Sequence, residues 1–139
     1  MFNKKNVVFA VTLLVVGLSV QNSFAIDADD SFANNSSIVK LRSNNFESEV
    51  LGNSGLSVVL FFANWCGHCK TLKPKFAQMA HDSGTIKFAA ADVDEQGDLA
   101  QKYGVNAFPT VVMFKGGKVV DTLVGATQET ITQSIQKNS

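Results

Sequence analysis

The chain has 139 residues, 45% of them hydrophobic, with 12 basic and 12 acidic side chains that cancel to a formal net charge of zero. That balance offers no basic face for nucleic acid or for an anionic membrane surface. The length suits one domain around a single core rather than two.

The first residues differ in composition from all that follow. Lys4 and Lys5 form a positive start, Val7 to Val20 is almost wholly apolar, and Ser23-Phe24-Ala25 places small residues where a signal peptidase reads them. Residues 1–25 are therefore expected to be a cleaved secretory signal, cut after Ala25. The alternative, an uncleaved anchor, needs roughly 20 apolar residues to span a bilayer, and this core is shorter. No cysteine follows it, which excludes a lipid-anchored lipoprotein. Removal of Lys4 and Lys5 leaves 10 basic and 12 acidic residues, a net charge of −2. Export places the chain where disulfides persist: a bacterial periplasm, the endoplasmic reticulum or the cell exterior. The ending Gln136-Lys137-Asn138-Ser139 is not a lumenal retrieval signal, so the periplasm is the expected compartment.

Residues 26–37, rich in Asp, Asn and Ser with Phe32 as their large apolar group, read as a flexible leader, and a folded domain is expected over 38–139. It opens with a short strand at Ile38–Leu41. A helix carrying Phe46, Val50 and Leu51 on its apolar side follows, with Ser43 or Asn44 as its cap. Val58–Phe62 is a continuous apolar, partly β-branched run, the pattern of a strand buried on both faces. The next helix runs from Cys66 to about His81, with Leu72, Phe76, Met79 and Ala80 at helical spacing and Pro74 inside, where it kinks the axis. His81, near its end, reads as solvated or capping.

Ile86–Val93 is a further strand, and Asp98–Tyr103 a short helix stopped by Gly104. Thr110–Phe114 and Lys118–Val124 flank Gly116-Gly117, a pair able to take the positive φ angles of a tight hairpin. Gln128–Gln136 closes the chain as a helix capped by Thr127. This β-α-β-α-β-α-β-β-α order predicts an α/β fold: a central mixed β-sheet flanked by helices on both faces.

Both cysteines lie in Trp65-Cys66-Gly67-His68-Cys69-Lys70, two residues apart, where the central strand gives way to a helix. That spacing brings the sulfurs within bonding reach, so the pair reads as a redox couple switching between dithiol and disulfide. At the helix N-terminus, unpaired N–H groups and the dipole favour the Cys66 thiolate. His68 can add a charge-assisted contact to it, which stabilises the reduced form and makes the disulfide a better oxidant. Two bland readings are weaker. A structural disulfide here closes only a tiny loop and removes little entropy from the unfolded chain. A zinc site needs four ligands, and the only histidines are His68, wedged between the cysteines, and His81.

On these residues, together with Phe61-Phe62-Ala63-Asn64, Pro74, Asp92-Val93-Asp94, Tyr103-Gly104-Val105, Phe108-Pro109-Thr110 and Gly125, the chain resembles the thioredoxin superfamily over Ile38–Ser139. Its Cys-Gly-His-Cys centre is similar to the catalytic domains of protein disulfide isomerases. The resemblance implies a thioredoxin fold, a thiol–disulfide oxidoreductase with Cys66 and Cys69 as exchanging sulfurs and His68 tuning them, and a cis peptide bond before Pro109. It implies a shallow docking face of Trp65, Gly67, His68, Phe108, Pro109 and Gly125, although core packing is an equal reading for Trp65. No metal or organic cofactor is implied. The expected partners are cysteine-containing exported proteins and a redox protein that resets the pair, with no nucleic acid, no stable membrane insertion after signal cleavage, and a monomeric chain. Oxidation or isomerisation is the expected direction; a reductant and a non-catalytic client-binding or chaperone module are the alternatives. One departure stands out: the buried acid of the family, six residues before the first cysteine, is Leu60 here, and its lysine neighbour is lost within Phe88-Ala89-Ala90-Ala91. A bound water or a surface group is then left to move the proton of Cys69.

Overall fold

The computed structural model describes Phe32 and residues 35–139. The predicted signal and most of the leader lie outside the described residues. Nine elements follow in chain order: β1 (Ile38–Lys40), a single π-helical turn labelled α1 (Glu47–Leu51), β2 (Leu56–Phe62), α2 (Gly67–Asp82), β3 (Lys87–Asp92), α3 (Gly97–Lys102), β4 (Thr110–Lys115), β5 (Lys118–Val124) and α4 (Gln128–Asn138). The strands form one mixed sheet in the order β1-β3-β2-β4-β5. β3 pairs parallel with both β1 and β2, whereas β4 runs antiparallel to β2 and to β5.

β2 is central, and every one of its residues is buried. Because side chains alternate along a strand, it serves two cores at once. Val58, Leu60 and Phe62 pack with Leu72 and Phe76 of α2 and Ile131 of α4. Val59 and Phe61 point the other way, toward Phe46 and Val50 beside and within α1 and Leu99 and Ala100 of α3. Helices therefore cover both faces, as the element order predicts.

The expected cap of the first helix is corrected. Phe46, not Ser43 or Asn44, stands at the cap position of α1, and no side chain caps it. The Asn45 side chain instead accepts from the Arg42 amide at 2.7 Å, and Ser43 donates through its amide and its hydroxyl to the Gln96 side chain, 3.0 Å each. The turn closes with a five-residue step, Gly52 N–H to Glu47 O at 2.8 Å, which lets Phe46 and Val50 both reach the core.

Between β4 and β5, Gly116 and Gly117 adopt φ of 58° and 78°, the double positive φ of a type I′ hairpin. Thr127 caps α4 by accepting from the Thr130 amide at 3.2 Å, and Thr130 Oγ1 accepts from the Thr127 amide at 2.9 Å. That reciprocal pair fixes where α4 starts, and the start of α4 borders the cysteine site.

Candidate active site

Cys66 is the N-cap of α2, with extended backbone, and its sulfur accepts the Cys69 amide proton at 3.3 Å. The pair is present as two thiols. Lys70 N–H closes the first helical bond on the Cys66 carbonyl at 3.2 Å. The sulfur of Cys66 thus faces the unpaired amides at the helix start, where negative charge is favoured. Cys69 lies one turn deeper and is buried, and this burial, with the hydrogen bond to Cys66, pushes its thiol up to about 12.

Facing them is the Phe108-Pro109 bond, which is cis. The Cys66 thiol donates to the Phe108 carbonyl at 3.5 Å. The Pro109 carbonyl is already taken, accepting the amides of Gly125 at 2.9 Å and Ala126 at 3.2 Å. Gly125 holds φ of 66°, a left-handed conformation that favours glycine and turns this loop back over the proline.

Beside the sulfurs runs an open groove of about 380 Å³ that brings together His68, Leu72, Phe108, Pro109, Gly125 and Ala126. Four of the predicted site residues, His68, Phe108, Pro109 and Gly125, therefore meet in one surface feature. Lys75, Thr127 and Gln128 also line it, which local sequence pattern did not suggest. Trp65 and Gly67 are exposed but outside this lining. Core packing is the wrong reading for Trp65: it is 68% exposed. Its ring meets Phe108 edge-on at 6.0 Å and its indole N–H donates to Asp94 at 3.3 Å. His68 is exposed and makes no hydrogen bond to either sulfur among the described residues. His81, also exposed, pairs with Asp82 at 3.1 Å, in line with its solvated reading.

Behind the cysteines, Leu60 is fully buried and pairs across the sheet with Ala90 and Val111. Both positions of the missing charged pair are thus adjacent and apolar. A cation is present elsewhere: Lys73 of α2 is 3% exposed, its Nζ donating to Asn64 Oδ1 at 3.1 Å and lying 4.2 Å from the Phe62 ring centroid. The sequence signal for it was its place four residues after Cys69, on the buried stripe beside Leu72 and Phe76.

A buried dithiol at a strand-to-helix junction, facing a cis-proline and an open groove, defines a thiol–disulfide oxidoreductase. Comparison with known proteins agrees. The thioredoxin family model matches residues 37–137. A thioredoxin from Echinococcus granulosus is 45% identical over 84 residues, 60% of this chain and 78% of that protein. Protein disulfide-isomerase 2-3 of Arabidopsis thaliana is 41% identical over 96 residues, 68% of this chain but only 22% of that longer protein. The crystal structure of thioredoxin NaTrxh from Nicotiana alata superposes with a TM-score of 0.69 at 34% identity, covering 73% of this chain and 92% of that one. The chain belongs to the thioredoxin family. Such proteins work through their cysteine pair without a cofactor, and among the described residues no cluster of His, Cys, Asp and Glu is placed to hold a metal ion.

Proposed function

We propose that this protein exchanges disulfides with exported proteins, as an oxidant or isomerase, in a bacterial periplasm. The observation that carries the reading is the position of the Cys66 sulfur: at the mouth of the pair, at a helix N-terminus, beside the Phe108 carbonyl and the groove. In the donating direction a client thiolate attacks the Cys66 sulfur of the Cys66–Cys69 disulfide. A client–Cys66 bond forms, and Cys69 leaves as a thiolate. A second client thiolate then attacks the client sulfur of that mixed disulfide, and Cys66 departs with the electron pair. The client has lost two electrons and the pair has gained them, so a second redox protein must reoxidise it.

The groove and the Trp65–Phe108 edge serve as the docking face, where an extended client segment lies against the backbone around Pro109. His68 supports the oxidising direction, since an imidazole in the first turn can stabilise the departing charge of the reduced form. The predicted export signal supports the compartment.

Replacing Cys69 by Ser is expected to trap client proteins on Cys66, seen as higher bands on a non-reducing gel that vanish with reductant. Trapping by Cys66→Ser instead would reverse the two roles. The apolar core at Leu60 lends support to a second reading, a client-holding module whose cysteines are incidental. Insulin reduction separates the two, because a holding module shows no turnover that depends on Cys66.

A further inference from the structure

We propose that Lys73 is a positioning residue for Cys69: its buried ammonium, fixed one helical turn beyond that cysteine by Asn64, stabilises the Cys69 thiolate in the exchange step, where Leu60 leaves no carboxylate to assist. The proposal rests on the reading of Cys69 as the resolving sulfur.

Three observations converge on it. A lysine is almost never fully buried, because desolvating an ammonium costs several kcal/mol unless other groups stabilise it. Lys73 is nonetheless buried on the same face of α2 as Cys69, four residues on, the spacing that makes side chains neighbours on a helix. It is also held in place. Asn64 accepts from Lys73 at 3.1 Å and donates to Asp92 at 3.0 Å, and Asp92 accepts the Asp94 amide at 2.9 Å. Asp94 in turn accepts the Trp65 indole N–H at 3.3 Å. Phe62, 4.2 Å from Nζ, and Phe32, 5.4 Å from it, give the cation aromatic faces. Finally, burial and Cys66 oppose the ionisation of Cys69, whereas the Ala63 backbone and, more weakly, the Lys73 charge favour it, and the strands behind offer Leu60 and Ala90.

The chemistry works in both directions. When a client thiolate opens the Cys66–Cys69 disulfide, Cys69 is the leaving sulfur, and a stabilised thiolate leaves faster. When Cys69 resolves a mixed disulfide, it gives its proton to water and attacks the Cys66 sulfur. The Cys66–Cys69 bond forms, and the client sulfur departs with the electron pair. Lys73 transfers no electron and forms no bond; it lowers the cost of the charge on Cys69.

The test follows resolution of a mixed disulfide between Cys66 and glutathione, by rapid mixing and acid quench from pH 6 to 9. Raising the Cys69 pKa by one unit cuts its thiolate fraction about tenfold, and the greater nucleophilicity of a more basic thiolate returns about 0.4–0.5 of that on a logarithmic scale. Lys73→Met is therefore expected to slow resolution threefold or more, with alkylation of Cys66 by iodoacetamide unchanged and with the rate regained in Lys73→Arg. A smaller slowing overturns the proposal. Should Lys73→Met fail to fold, Asn64→Ala decides, since it removes, from an exposed position, the Asn64 hydrogen bond that positions the ammonium: slower resolution supports the role of Lys73, and a wild-type rate overturns it. Cys69→Ser is the control. If it releases glutathione as fast as wild type, the resolving role of Cys69 fails; if it traps glutathione while the Lys73 and Asn64 variants behave as wild type, only the role of Lys73 fails.

Discussion

Cys66 and Cys69 are chemically identical residues that the fold makes unequal. Cys66 caps a helix beside a groove, and Cys69 is sealed beneath it, its thiol pushed up to about 12 by burial and by its bond to Cys66. An unfolded thiol ionises near 8.5, so between these values the native reduced protein holds a proton that the unfolded chain has lost. The native state binding more protons means that stability falls as pH rises. The contribution is complete below about pH 8.5 and drains away toward 12. Urea midpoints of the reduced protein should thus drop more steeply from pH 8.5 to 10 than those of Cys69→Ala. Parallel curves would contradict the assignment. Tyr103, also pushed up by burial, slopes the same way in both proteins and cancels. The cysteine pair, His68 and Pro109 were legible as a site because their spacing and residue types carry chemistry. Lys73 was legible only by its place on the buried stripe of α2, since its significance comes from Asn64, Phe62 and Phe32, brought to it by the loop before α2, by β2 and by the segment before β1.

Elements differ in how openly the chain announces them. β2 announces itself, because burial on both faces demands an unbroken apolar run, and α4 because Thr127 and Thr130 cap each other locally. The start of α1 does not. Its entry is fixed by Asn45 to the Arg42 amide and by Ser43 to Gln96, 53 residues away, a tertiary contact that no local window contains. The hairpin between β4 and β5 shows how a tertiary contact sharpens a local rule. Both glycines have positive φ, yet a side chain at Gly117 would meet the Leu51 carbonyl oxygen at 3.1 Å, whereas one at Gly116 meets nothing within 4 Å. Gly116→Ala should cost about 1 kcal/mol from backbone strain alone, and Gly117→Ala measurably more, by urea unfolding. Equal losses would mean that the Leu51 contact yields without cost.

Across the whole molecule, the sheet order puts β2 between β3 and β4, so that one strand end delivers Cys66 while the neighbouring strand delivers Pro109 opposite it. Fold, cysteine pair and family membership together establish thiol–disulfide exchange. The proposed oxidising direction is a separate matter of free energy: it requires that the sulfur at a helix N-terminus, His68 in the first turn and Lys73 below stabilise thiolates over the disulfide. The deciding measurement is the reduction potential of Cys66–Cys69 by equilibration with glutathione, for the native chain and for His68→Pro. The native value should lie well above the thioredoxin value of about −270 mV, near the roughly −180 mV of disulfide isomerases, with His68→Pro shifted negative. A native potential at or below about −270 mV, unmoved by His68→Pro, would contradict the oxidising role.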